Sequence, residues 1–106
     1  MWVVEFASQE VRREVEELPR DMRARFLRIV ELVQAKGLHQ VREPYIKHLH
    51  GKLWEMRMTG KDGISRALYV TATGRRVVIV RAFVKKTQKT PQREINLALK
   101  RAKDVR

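Results

Sequence analysis

The chain has 106 residues, with 24 Lys and Arg against 12 Asp and Glu, a formal net charge of +12, and a hydrophobic share of 43%. That length predicts a single domain over residues 1–106 with one modest core, and the apolar share excludes the disordered polyelectrolyte that such charge would otherwise suggest. There is no cysteine, which excludes disulfide staples, thiolate metal sites and a cysteine nucleophile.

In chain order, Trp2 to Phe6 is short, apolar and β-prone and predicts a first strand. Ser8 reads as an N-cap with Glu10 in the first turn, and Val11, Val15 and Leu18 follow at helical spacing. Pro19 interrupts that helix. A second helix is predicted from Arg20 to Lys36, with Met22, Phe26, Ile29 and Val33 on one face and Gly37 closing it. Residues 37–52 have no clear period and contain Gly37, Pro44 and Gly51, so they read as a connecting loop. Leu53 to Met58 alternates, with Trp54, Met56 and Met58 facing a core and Leu53, Glu55 and Arg57 facing away from it. After a turn at Gly60-Lys61-Asp62-Gly63, Ile64 to Thr73 forms the next strand, with Arg66 on the face of Ile64 and Leu68. Arg76 to Lys85, the most apolar strand, is expected at the centre of the sheet. Pro91 fits the first turn of a terminal helix capped by Thr90, which packs through Ile95, Ala98, Leu99 and Ala102. The order β-α-α-β-β-β-α predicts an α+β fold, a helical hairpin on a curved, mainly antiparallel four-stranded sheet.

The charge is not spread evenly. From residue 52 onward there are 15 Lys and Arg against 4 Asp and Glu, whereas residues 1–51 hold 9 against 8. A field so lopsided favours polyanions, because each neutralised phosphate releases condensed counterions. Nucleic acid is therefore the expected partner. The apolar runs are far shorter than a membrane span, and Met1-Trp2-Val3-Val4-Glu5 lacks the charged start and apolar stretch of a signal peptide. The expectation is a soluble protein of a reducing cytoplasm that engages no membrane.

Several segments resemble a known family when taken together. Lys47-x-Leu49-x-Gly51-Lys52-Leu53-Trp54-Glu55-Met56-Arg57 is followed by Ser65-Arg66-Ala67-Leu68-Tyr69. Ala82-Phe83-Val84-Lys85-Lys86-Thr87-Gln88-Lys89-Thr90-Pro91 comes next, then Glu94-x-x-x-Ala98. Their order and spacing resemble the HigB-like, phage-derived branch of the RelE/ParE toxin superfamily. The resemblance implies a RelE-like fold and the toxin half of a type II toxin-antitoxin pair. It further implies a ribosome-dependent endoribonuclease that cuts translated mRNA without a small-molecule cofactor and is silenced by a helix-turn-helix antitoxin. Met56 departs from the family pattern, where Leu is usual, and the swap preserves volume.

The chemistry can be read beside the resemblance. Metal-free RNA cleavage uses the substrate's 2'-hydroxyl as nucleophile, so a protein must orient the backbone, stabilise phosphorane charge and move protons. Arg57 and Arg66 are the candidates for the charge, since a guanidinium grips two phosphate oxygens and stays protonated. Lys85 and Lys86 end the next strand, where crowding by other cations lowers an amine's pKa and suits it to proton transfer. Thr87, Lys89 and Thr90 would form a polar lip for the RNA backbone, and Phe83 is the one aromatic expected to be available for stacking. The resemblance places catalytic roles on Arg66 and Lys86 by motif position, and the general base stays open between Lys85, Lys86 and a ribosomal group.

Each assignment has a structural competitor. Arg57 can simply pair with Glu55, and Lys85-Lys86 can be an edge charge that blocks aggregation. Trp54 reads as core rather than as a stacking platform. His48 and His50 lack a third ligand nearby, so no metal is expected. Two other functions compete with the nuclease. One is a ParE-like inhibitor of DNA gyrase, and the other a non-catalytic basic RNA-binding module, which would interleave more exposed aromatics with its cations.

Overall fold

In the computed structural model, which describes residues 1–86 and 89–106, strand β1 (Val3–Phe6) leads into helices α1 (Gln9–Glu16) and α2 (Arg20–Lys36) and a 3-10 turn at Leu38–Gln40. Strands β2 (Ile46–His50), β3 (Leu53–Gly60), β4 (Gly63–Ala72) and β5 (Arg76–Lys85) precede helix α3 (Gln92–Ala102). The strands form one sheet in the order β1-β5-β4-β3-β2, antiparallel except for the parallel pair β1 and β5.

The α+β class holds, but the sheet has five strands where the sequence predicts four. The extra one is β2, inside the segment read as a loop. It is an edge strand with one partner, a bulge between His48 and His50, and mostly exposed side chains. Such a strand carries no apolar alternation to detect. Arg76–Lys85 lies inside the sheet as expected, although the middle position belongs to β4.

Local chemistry explains the helices. The Ser8 hydroxyl accepts from the Val11 N–H at 3.3 Å and caps α1, satisfying a donor that the helix itself leaves orphaned. Gly37 ends α2 at φ 90°, a conformation that costs glycine no steric penalty. Val11, Val15 and Leu18 from the first helical segment join Met22, Phe26, Ile29 and Val33 from the second, all buried against Met56, Met58, Ala67, Tyr69, Val77 and Ile79 of the sheet. Each large apolar side chain removed from water there contributes roughly 1.5–3 kcal/mol.

Helix α3 covers part of the opposite face. Its Ile95 and Ala98 pack on Leu53, Leu68, Val70, Val78, Val80 and Phe83. The two faces thus divide each strand by its alternation, as the pleat requires. Close approach also locks the β3–β4 hairpin to α2. A Cβ on Gly60 would stand 2.8 Å from Asp21 Oδ2 and from Met22 Cγ. The bare glycine lets the Lys61 N–H donate to Asp21 at 2.6 Å, and that bond holds the Asp21 carboxyl below its ordinary pKa.

Beyond the end of β1, the outer edge of β5 is met by side chains instead of another strand. The Glu14 carboxylate of α1 accepts from the Ala82 N–H at 3.2 Å, and Arg101 of α3 donates to the Val80 carbonyl at 2.8 Å. A bulge pairs Leu68 with Arg81 and Tyr69 with Ile79, leaving Val80 as the extra residue. Arg81 at that bulge bonds Glu94 at 2.7 and 3.1 Å and Glu14 at 3.0 Å. Arg101 bonds Glu14 at 2.9 and 3.0 Å and also pairs with Glu10. Part of the charge asymmetry is therefore a folding device, in which glutamates from the first half hold arginines from the second.

Among the described residues no helix is long and apolar enough to cross a membrane.

Candidate functional site

Arg57 and Arg66 are cross-strand partners in the β3–β4 register. Alternation puts Glu55 on the same face, two residues before Arg57. Its carboxylate is 1% exposed, pairs with Arg66 and lies 3.5 Å from Arg57 Nε. The Thr90 hydroxyl donates to Glu55 Oε2 at 3.1 Å and lies 3.5 Å from an Arg66 nitrogen. Pro91, with no side-chain cap bond, takes the cap position of α3. Thr90 is thus not the predicted cap, because its hydroxyl is committed to the buried carboxylate.

Arg57, Arg66, Lys47, Pro44, Thr59 and Ile64 line an open cleft of about 310 Å³. The lining comes from β2, β3, β4 and the segment before β2, with no residue of α3 in it. Arg66 is only 5% exposed, whereas the Arg57 side chain is 28% exposed and better placed to meet a ligand. Lys85 pairs in register with Ile64, at the wall of the cleft. Its amine is held below its ordinary pKa, first by burial and then by the charges of Arg66, Arg57 and Lys47, against which Glu55 pulls upward. Crowding by cations was the expected cause; burial is the larger one.

The structure thus gathers four of the predicted residues, Arg57, Arg66, Lys85 and Thr90. It separates others. Lys86 and Lys89 are exposed and do not line the cleft. Thr87 lies outside the described residues. Phe83 is not available for stacking: it is buried under Ile95 and Ala98, with the Arg81 guanidinium 5.6 Å from its ring centroid. It shares the face of Arg66 but falls beneath α3. Tyr69 is core, and its burial pushes the phenol's pKa upward.

Trp54 is the reverse case. It points to the face of Met56 and Met58, yet it is 40% exposed, because it starts β3 opposite the edge strand, beyond the helical cover. Its cross-strand partner His48 meets it edge-on at 5.0 Å and donates from Nε2 to the Gly51 carbonyl at 2.8 Å.

Sequence reasoning missed the organising role of Glu55. The signal was its position, a carboxylate on a strand face whose other polar members are cations. It also missed Lys47, which enters the cleft from the unrecognised strand β2.

Comparison with known families gives one result. The model of the family described as phage derived protein, Gp49-like, matches residues 13–103. No curated protein matches the chain.

Proposed function

We propose that this chain, which belongs to the phage-derived Gp49-like family, a toxin-antitoxin toxin-like family, is the toxin of a type II pair related to the HigB-like branch. In this reading it acts in the cytoplasm as a metal-independent, ribosome-dependent endoribonuclease on translated mRNA, and a helix-turn-helix antitoxin silences it. The observation that carries the reading is the cluster of Arg57, Arg66 and Lys85 around one buried carboxylate on an open sheet face.

In this reading the cluster serves the cleavage step as follows. The 2'-oxygen attacks the adjacent phosphorus, the P–O5' bond breaks, and the products are a 2',3'-cyclic phosphate and a 5'-hydroxyl. The proton leaving the 2'-hydroxyl needs an acceptor and the departing 5'-oxygen needs a donor. Arg57 meets the non-bridging oxygens as charge builds on the phosphorane. Arg66 adds field from beneath, and Glu55 holds both guanidiniums in place. Lys85 is preferred to Lys86 for proton transfer, because its strand position faces Ile64 of the cleft wall and its pKa is lowered by burial and by the charges of Arg66 and Arg57.

The test is to express the chain from a tightly repressed promoter, follow growth, and map the 5' ends of cellular mRNA. Arrest with new ends inside translated frames is the expected result. Arrest with intact mRNA and altered plasmid supercoiling would replace the nuclease with gyrase poisoning. The absence of arrest would reduce the chain to a basic binding module.

A quantitative companion uses salt. Replacing Lys85 or Lys86 with Ala should weaken binding to single-stranded RNA and flatten its dependence on log salt by about 0.7 for each phosphate that is no longer neutralised. An unchanged slope would make that lysine an ordinary surface charge.

A further inference from the structure

A second cleft, of about 580 Å³, opens on the sheet face that carries α1 and α2, opposite the cation cleft. Trp2, Leu38, Val41, Ile46, Trp54 and Tyr69 form its walls. Val41, Ile46 and Tyr69 are parts of the core that reach the surface here, because α2 ends at Lys36 and the chain then detours through the 3-10 turn before joining β2. The polar residues stand at the rim. Arg42, Lys47, His39 and His48 are exposed there, with Glu43 the one carboxylate among the lining residues.

We infer that this cleft is a docking site for an acidic peptide segment of a partner protein, one carrying an aromatic or branched apolar side chain between its carboxylates. The walls supply the apolar pocket that an anchoring side chain needs, and the two tryptophans are of the residue type that dominates such anchors. The rim supplies the sign of the charge. Arg42 and Lys47 outnumber Glu43 and stand on a chain of net charge +12, so an approaching acidic segment is steered toward the site.

An RNA strand fits less well. A nucleobase seated among aliphatic walls would leave its hydrogen-bonding edge unpaired, and Glu43 would repel the phosphate beside it. The inference is independent of the nuclease reading, because the two clefts lie on opposite faces of the sheet. They share one residue, Lys47 of the edge strand. A segment anchored beside Trp54 and continuing past Lys47 therefore runs toward Arg57.

The probe is a phage-displayed library of short random peptides, selected against the purified full chain. Enriched peptides should carry Asp or Glu around an aromatic or branched residue. They should bind Trp54→Ala and Arg42→Glu variants about tenfold more weakly while keeping their affinity for Arg57→Ala. Both cleft substitutions fall on exposed side chains, and unchanged thermal melting verifies that each variant is folded. Acidic peptides without an apolar anchor that lose binding on Arg57→Ala would overturn the inference, as would a selection that enriches nothing. Oligouridine binding that depends on Trp54 would overturn it too, assigning the cleft to a base. Growth arrest without cleft-dependent peptides would sink this inference alone, and such peptides without arrest would sink the toxin reading alone.

Discussion

Arg66→Ala should abolish growth inhibition and, unlike a surface charge deletion, should also cost about 3–5 kcal/mol of stability. The sequence alone suggests a substitution that leaves folding intact. The structure changes that expectation, because Arg66 is almost fully buried and its partner Glu55 is more so. Removing the guanidinium strands a carboxylate away from water, with the Thr90 hydroxyl and the more distant Arg57 as its remaining partners among the described residues. A loss of that size approaches the whole stability of a small domain. The single variant therefore cannot separate chemistry from folding.

The double variant Glu55→Gln with Arg66→Met can. It removes both charges and keeps volume and a hydrogen-bonding amide for Thr90, so most of the lost stability should return in denaturant melts. Growth inhibition should stay absent, because no cation remains beneath the cleft. If the double variant folds and still arrests growth, Arg66 is a structural cation and the site must be rebuilt around Arg57 and Lys85.

Glu14→Ala should be the other severe change, costing about 2–4 kcal/mol at neutral pH. This carboxylate serves three partners, the Arg81 and Arg101 guanidiniums and the Ala82 N–H. Burial alone would raise its pKa, but the Arg101 bond, the Ala82 N–H and the charge on Arg81 outweigh it and hold the pKa below the ordinary 4.5. A depressed carboxyl pKa means that the stabilisation is present above the unfolded value and disappears as pH falls through the folded one. The gap between wild type and variant should therefore be full at neutral pH and shrink in acid below 4.5. Melts that show the same gap at about pH 3 would assign the loss to packing rather than charge. Growth inhibition should fall only with stability, since Glu14 does not line the cation cleft.

Most of the fold was legible because the core segments follow regular periods. The 3.6-residue spacing from Met22 to Val33 placed α2 with its observed bounds, and the alternation from Leu53 to Met58 sorted β3 into its two faces, although the face read as turned from the core buries Leu53 and Glu55, Leu53 in a second apolar cluster under α3. Burial was legible only where a covering element was also known. Trp54 and Phe83 each point to the predicted side of the sheet, yet each has the opposite exposure from that expected. The reason is where the helices stop: α2 ends before Trp54, while α3 lies over Phe83. Periodicity states which face a residue occupies and says nothing about the extent of the layer above it.

The site was legible in its cations and illegible in its carboxylate. Arg57, Arg66 and Lys85 announce themselves as charges on or beside an apolar strand. Glu55 looked like an ordinary polar alternation partner, and its burial becomes visible only once Thr90, 35 residues later, is folded against it. Arg81 and Arg101 belonged to the same apparent surplus of positive charge. Their commitment to Glu10, Glu14 and Glu94 depends on bonds between elements up to 91 residues apart, beyond the reach of any local pattern.

The parallel pairing of β1 with β5 has a consequence for biosynthesis. Val3 waits for Arg76 before its strand is paired, and Glu14 waits for Arg101 across 87 residues. Pairings of such separation form slowly and late. A growing chain that has emerged only through α2 therefore carries Val11, Val15, Met22 and Phe26 with no sheet to bury them. Since Thr90 and α3 follow every strand of the cleft, a chain whose translation is interrupted before them holds the cations but not the arrangement that aims them, so the cation cleft is completed only after Thr90 and α3 have been made.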